Sequence, residues 1–378
     1  MSTTGPRGTR VPLGDHDVDE RFDDHGEVDP DDRLDPLGDP SDGGDGGDDD
    51  RDDVDTERRH RRRNRRVLVA ALVLLLVPVL AVGGYLGYLN HVVTNNVRQE
   101  TLLPQTGPTG DDGQAVSQPA GNGTNYLIIG NDAGPGREGA RSDVMVIAHV
   151  PDDHSAVTLI HFPRDLWVPI PGHKDAKLNA AYAYGGAPLL VQTMQNLLGI
   201  DVDHVAMIGF EGFKAMTDAV GGVDVNVAEA STETVGSTTY DFREGTMHMD
   251  GDMALAFVRQ RKQLSQGDIS RGQRQLAFIK GLMLKTLSPS TLANPVTLSG
   301  FLDAATSNLT VDDKLDVGTM RSEAFALRGL RGNDIRFITA PFSGFGTSAD
   351  GQSIDVVDDA KMDALGAAIR DDALDTYR

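Results

Sequence analysis

The stretch VRQRKQLSQGDISRGQRQ, residues 258–275, places Arg259, Arg261, Lys262, Arg271 and Arg274 around one acid, Asp268. Arg259 and Arg261 are two residues apart, so on extended backbone their side chains point the same way. Asp268 follows a glycine and stands where a helix can begin. On that helix Asp268, Arg271 and Gln275 share one face, while Leu276, Ile279 and Met283 form a separate apolar stripe. Guanidinium groups gathered at a helix N-terminus suit phosphate oxygens, which accept bidentate hydrogen bonds and also attract backbone N–H groups. A solvated basic surface is the alternative. Clustered arginines repel one another, however, and a counter-anion resolves that repulsion. Lys262 and Arg274 are the two bases left outside such a site.

Two more charged groups have chemically useful positions. Asp132 ends one apolar run and Asp143 begins the next. If those runs are adjacent strands, the two carboxylates meet at one edge of a sheet, a usual arrangement for holding Mg²⁺ with oxygen ligands. Turn capping is the alternative. Arg164 and Asp165, in FPRDLWVPIPG, follow another apolar run. Charges at the C-terminal end of a buried strand are where α/β sheets place ligand sites; a salt bridge that pins the loop is the other reading.

These residues need a scaffold, and the chain supplies one. NYLIIG, DVMVIAHV and AVTLIHF are short, β-branched runs that predict buried strands. LNAAYAYGGAPLLVQTMQNLLGI predicts one or two helices. VAMIGF, EGFKAMTDAVGG and VDVNV read as strand, helix and strand. A polar excursion over 240–249 precedes a helix at GDMALAFV. Two or three helices follow to about Leu327, then a strand at DIRFITAPF and a last helix over 358–371. Strands alternating with helices predict an α/β, three-layer-type sandwich with a central mixed sheet flanked by helices.

The formal net charge of −22 misleads, because residues 1–57 hold 21 acids and 5 bases. Residues 1–66 read as a disordered acidic tail ending in a basic run. Residues 67–89 carry no charge and, at about 1.5 Å per residue, are long enough to span a bilayer as a single N-terminal transmembrane helix. The arginines just before it predict a cytoplasmic N-terminus and an extracellular remainder, anchored in the cell membrane by a single pass. Residues 90–123 are rich in Pro, Gly and polar residues and read as a stalk. Residues 124–378 then form one domain. The chain has no cysteine, which excludes disulfides and a cysteine nucleophile. No G-x-S-x-G elbow, paired histidines or G-K-[ST] loop occurs, so serine hydrolase, zinc-site and P-loop chemistry are not indicated. An external domain with a short, aromatic-free basic stretch is also a poor partner for nucleic acid.

GND (130–132), RSD (141–143), PRD (163–165), KLNAAYAYGG (177–186), GGVDV (221–225), VRQR (258–261) and GDISRGQRQ (267–275) occur in order behind the apolar segment. Together they resemble the LytR–CpsA–Psr family of bacterial cell-wall phosphotransferases. The resemblance implies a ligase that moves a glycopolymer from a polyprenyl-pyrophosphate carrier onto peptidoglycan through a phosphodiester link. It implies Mg²⁺ (or Mn²⁺) on Asp132 and Asp143. Arg164, Arg259, Arg261, Arg271 and Gln275 match positions around the phosphates, with Asp268 as a candidate base or arginine-orienting acid. Arg141, Asp165, Lys177 and Asn179 fall in the matching motifs as substrate-binding residues. A polyprenyl tail is expected in an apolar pocket whose lining the sequence does not give. Asn131 stands where the family often has Ser or Thr, and His161 where it commonly has Ser, with activity expected to survive. A lipid-pyrophosphate pyrophosphatase and a non-enzymatic membrane-tethered regulator are the competing readings. The polymer stays open between arabinogalactan, teichoic acid and capsule.

Overall fold

Residues Ser142–Val150 alternate in a way that sets the architecture. Met145 and Ile147 are buried toward one layer, Val146 and Ala148 toward another. A strand covered on both faces belongs inside a sandwich. The computed structural model, which describes residues 49–105, 121–131 and 142–377, supplies the layers. Among these residues the chain runs through α1 (Asp49–Asn96), β1 (Arg98–Glu100), β2 (Thr124–Asn131), β3 (Ser142–Val150), β4 (Val157–His161), β5 (Leu166–Val168) and β6 (Ala176–Lys177). It continues with α2 (Leu178–Leu198), β7 (His204–Gly209), α3 (Phe210–Ala219), β8 (Val223–Val227), β9 (Ser231–Val235), β10 (Thr238–Phe242), β11 (Gly245–Met249) and α4 (Gly251–Arg259). Then follow α5 (Asp268–Thr286), α6 (Pro289–Leu292), α7 (Pro295–Ser307), β12 (Leu309–Asp312), α8 (Val317–Ala326), β13 (Ile335–Thr339), β14 (Phe342–Thr347), β15 (Ser353–Val357) and α9 (Asp359–Arg370).

The main sheet has the order β1-β12-β7-β2-β3-β4-β13. β2 runs parallel to β7 and β4 parallel to β13, with β3 antiparallel to both β2 and β4. Four strands therefore end at the same edge, at Asn131, Gly209, His161 and Thr339. One face is covered by α2 and α9, through Leu190, Met194, Leu365 and Ile369. On the other face Leu276, Ile279 and Met283 of α5 pack on Val146, Ala148 and Leu159. A further core around Phe242, Phe257 and Phe278 joins α4 and α5 to β8, β10 and β11. This is the expected sandwich with a central mixed sheet.

Several elements differ from the sequence reading. Part of the segment read as a stalk over 90–123 belongs to the fold: Arg98–Glu100 pairs in parallel with β12, and Leu102 and Leu103 are buried in the core. Its three strand residues are all exposed and polar, so no apolar pattern marks them. β12 was also absent from the reading, as was the sheet β14-β15-β5-β6. The excursion over 240–249 forms β10 and β11. Residues to Leu72 form one unit and Val73–Arg378 another. The span Arg63–Asn96 within α1 is a helix long and apolar enough to cross a membrane. Its C-terminal part meets the domain: Tyr85 Oη donates to Pro295 O (2.8 Å), and Asn96 Nδ2 donates to Asp303 Oδ1 (2.9 Å).

The close approach of α5 to β4 depends on Gly272. A Cβ there would lie 2.2 Å from the ring of His161, which is 1 % exposed and has nowhere to move. Gly272→Ala is expected to lower stability by about 1–3 kcal/mol through overpacking. Adding His161→Ser should recover most of that loss. Thermal unfolding of the single and double variants checks this, and strictly additive losses would show that the two side chains do not compete for the same space.

Candidate active site

β4 ends at His161, and the chain turns through Pro163, Arg164 and Asp165 into β5. Leu166 N donates to Pro163 O (3.2 Å) and closes the turn. Two remote segments then clamp its backbone: Asn179 N donates to Arg164 O (3.1 Å), and Asp355 N donates to Asp165 O (2.9 Å). The side chains form a chain of alternating charge. Lys177 Nζ lies 3.0 Å from Asp165 Oδ1. Arg164 Nε lies 3.7 Å from Asp165 Oδ2 and 3.5 Å from Asp268 Oδ1. Arg271 Nη2 lies 2.5 Å from the same Asp268 oxygen. Each acid is thus held between two cations, which makes three cations at one place tolerable.

Beside this chain a cavity of about 410 Å³ opens between the sheet and α3, α4 and α5. Most of its wall is hydrocarbon, from Ile128, Val144, Ile208, Phe213, Leu255, Phe278, Ile279 and Leu282. Arg164, Arg259, Arg261, Arg271 and Gln275 supply its polar part. Arg259 and Arg261 are exposed, so this cationic end faces water. They point together as expected, because Gln260 between them turns the other way, accepting from Ser231 Oγ (2.8 Å) and donating to Thr232 O (2.8 Å). The guanidinium of Arg259 lies 4.6 Å from the centroid of the Phe210 ring. An apolar cavity with one cationic end fits an amphiphile with an anionic head.

Burial also sets the protonation of the acids. It pushes the Asp268 carboxyl up, while Arg271 and Arg164 work against the shift. A carboxylate so raised is a stronger base. Asp355, 4 % exposed, is pushed up to about 6 by burial and then by the neighbouring charges of Asp268 and Asp165. Burial, with Arg271 second, pulls His161 down to about 3, so this ring is neutral at physiological pH.

Arg274 lies on another side of α5 and is buried. Its Nη1 donates to Gln260 Oε1 (2.6 Å), its Nη2 to Glu229 O (2.8 Å) and Ser231 Oγ (2.6 Å), and its guanidinium stacks 4.5 Å from the Phe257 centroid. It ties the segment before β9 to the α4–α5 connection. Neither Arg274 nor Lys262 lines the cavity, as the sequence suggested.

Over residues 92–371 the chain matches the family model described as LytR_cpsA_psr family. The chain belongs to this family. Among curated relatives, the cell wall biosynthesis protein LcpA of Corynebacterium glutamicum is 30% identical over 325 residues, covering 74% of this chain and 61% of that protein. The polyisoprenyl-teichoic acid–peptidoglycan teichoic acid transferase TagU of Enterococcus faecalis is 35% identical over 239 residues, covering 62% of this chain and 75% of its own. This chain thus spans 61% of the length of LcpA, and the same share of the corynebacterial LcpB. The crystal structure of Bacillus subtilis TagV matches with a TM-score of 0.58 at 25% identity, over 67% of this chain and 98% of that one. A LytR-Csp2A-Psr enzyme from Actinomyces oris shares the fold, with a TM-score of 0.56 at 23% identity over 72% of this chain and 95% of its own.

Of the residues singled out from the family motifs, the structure brings Arg164, Arg259, Arg261, Arg271 and Gln275 to one cavity, with Asp268 paired at its edge. Asp165, Lys177 and Asn179 line a second, polar cavity that shares Arg164 with the first. Asp132 and Arg141 lie outside the described residues, as does the side chain of Asp143. The ends of β2 and β3 that lead to them are paired, Asn131 with Ser142. Asp355 was missed. The only signal was an acid inside the apolar run SIDVV.

Because its folded-state pKa is raised, Asp355 binds a proton that the unfolded chain releases near pH 4, so its ionisation weakens the fold as pH rises toward and past 6. The stability gained by Asp355→Asn over the wild type should therefore grow by about 1 kcal/mol between pH 5 and pH 8. Denaturant unfolding at both pH values tests this. A gain that shrinks with pH would mean that Lys177 and Arg271 hold the carboxylate ionised.

Proposed function

We propose that the protein is a membrane-anchored phosphotransferase that moves a glycopolymer from a polyprenyl-pyrophosphate carrier onto peptidoglycan. The observation that carries this reading is the apolar cavity ending in Arg164, Arg259, Arg261 and Arg271. The names of LcpA and TagU, which concern cell-wall biosynthesis and teichoic acid transfer to peptidoglycan, support the choice of donor and acceptor. The polyprenyl tail occupies the hydrocarbon wall, and the pyrophosphate meets the arginines. An acceptor hydroxyl on peptidoglycan attacks the phosphorus attached to the glycan. A new P–O bond forms, the P–O bond to the carrier breaks, and polyprenyl phosphate leaves. Asp268, with its raised affinity for a proton, takes the proton from the acceptor hydroxyl. The arginines stabilise the charge that builds on the transferring phosphoryl group and the leaving phosphate. Gln275, whose Nε2 donates to Val258 O (3.3 Å), holds the α4 end against α5 so that Arg259 stays in place.

Asp132 and Asp143 fit Mg²⁺ or Mn²⁺ by donor chemistry, since both offer carboxylate oxygens. The paired ends of β2 and β3 also open on the cavity through Gly130 and Val144. A cation held there would neutralise pyrophosphate charge. The arginine run over 58–66 supports a cytoplasmic N-terminus and an extracellular domain for a helix spanning the membrane.

Arg259 and Arg261 are exposed, so alanine at either position should leave the unfolding temperature nearly unchanged. Transfer from a polyprenyl-pyrophosphate donor to peptidoglycan should fall by about 100-fold or more. Normal turnover in both variants would overturn the phosphate role. Asp132→Asn is expected to abolish metal-dependent transfer. If this variant responds to Mg²⁺ as the wild type does, the metal assignment fails.

A further inference from the structure

Two helices of the domain flank the last turns of α1, and hydrogen bonds fix their levels along its axis. Asn96 Nδ2 donates to Asp303 Oδ1 (2.9 Å) and to Thr306 Oγ1 (3.2 Å), while Tyr85 Oη donates to Pro295 O (2.8 Å). Tyr85 to Asn96 and Pro295 to Thr306 are spans of equal length, so α7 runs alongside α1 in the same direction. Its first residue is then level with Tyr85. α8 runs the opposite way. Gln99 Nε2 donates to Leu315 O, just before α8 (3.2 Å), and Arg321 Nη1 within it donates to Asn90 Oδ1 (3.5 Å). One helical turn past Arg321, Phe325 also comes close to the level of Tyr85.

Both of these ends are bare. Every residue of Leu292–Val296 is exposed, Val296 at 78 % and Leu292 at 43 %. Residues 286–302 hold no charge, in a chain where 24% of residues are charged. Phe325 is 65 % exposed, with exposed Arg321 and Arg328 on either side and the Arg328 guanidinium 3.7 Å from its ring centroid. Single exposed apolar residues are ordinary; two sets at one level beside an apolar helix form a surface with a use. Tyr85 lies four residues, about 6 Å, inside the end of the charge-free run over 67–89. When that run crosses a bilayer, Tyr85 sits at the boundary of headgroups and acyl chains, where tyrosine rings settle. Interfacial segments bury apolar residues there by about 5–10 Å. An arginine beside a phenylalanine suits the same boundary, since the ring enters hydrocarbon and the guanidinium reaches back to a phosphate. We infer that the α6–α7 corner and the end of α8 form a second membrane contact, inserting Leu292, Val296 and Phe325 into the leaflet next to the domain, with Arg321 and Arg328 at the lipid phosphates. The inference rests on the reading of α1 as a membrane-spanning helix.

The chain has no cysteine, so a single introduced cysteine takes a fluorophore at one place only. Full-length Val296→Cys and Phe325→Cys, each with a nitrobenzoxadiazole label, are reconstituted into vesicles of phosphatidylglycerol and phosphatidylethanolamine. Spin-labelled lipids quench from inside the bilayer and iodide quenches from water. Leu80→Cys, near the middle of the charge-free run, reports on the span itself. Positions 296 and 325 are exposed, so labelling should leave the unfolding temperature unchanged. Both labels should resist iodide and lose most of their emission to a spin label near the lipid carbonyls, at a depth of about 5–10 Å below the phosphates. The Leu80 label should instead be quenched best by a spin label deep in the acyl chains. Labels at 296 and 325 that iodide reaches and lipid quenchers do not would overturn the contact. So would shielding that ignores the lipid quencher and grows with the number of protein copies per vesicle, since a second copy would then cover this face. If the Leu80 label escapes the lipid quenchers, the spanning reading of α1 fails instead, and the other two labels still decide the contact.

Discussion

The site depends on interleaving charges of opposite sign where the sheet ends. Lys177, Asp165, Arg164, Asp268 and Arg271 come from three separate segments, and each neighbour in that order is an ion-pair partner. Largely buried pairs of this kind add little net stability, because desolvation offsets most of the Coulomb gain. Removing one member is different: it leaves a buried charge uncompensated, at a cost of about 3–5 kcal/mol. The network therefore acts less as glue than as a register. It is satisfied only when the turn after β4, the start of α2 and the N-terminus of α5 meet in one arrangement. That arrangement also turns Arg164 toward two cavities at once.

α5 carries much of the burden. Its N-terminal residues give Asp268, Arg271 and Gln275 to the site, and Arg274 leaves by another side to tie down the β9 segment. Leu276, Ile279 and Met283 seat the helix on the sheet. Gly272 lets it come close enough to do so. A helix whose sides all have different duties has little freedom to rotate. The four arginines at the cavity thus inherit their positions from ordinary packing some way from them.

The sequence made much of this legible, for a physical reason. Buried strands such as β2, β3 and β4 need continuous apolar runs, and such runs are visible without a structure. The spacing of Asp268, Arg271 and Gln275 on a helix is equally local, as is the separation of Arg274 from them. What stayed hidden depends on distant pairing. β1 is exposed along its whole length, and β14 alternates between half-buried and exposed residues with two glycines, so neither has an apolar signature. Asp355 joins the site only because β15 lies parallel to β5, nearly two hundred residues earlier in the chain. The hydrocarbon cavity draws its wall from β2, β3, β7, α3, α4 and α5, and no single window of sequence contains it.

The junction between α1 and the sheet has a mechanical consequence. Only Val97 separates the end of the helix from β1, and its N–H still donates to Val93 O (3.1 Å). Leu102 and Leu103 are in the core a few residues later. A tether of this kind has no slack. A coil of comparable length would let the domain tumble and sample a volume whose radius grows with the square root of linker length. Here the last turns of the helix move with the domain they adjoin. Any search for a partner is then made by the domain together with these last turns, not by a ball on a string.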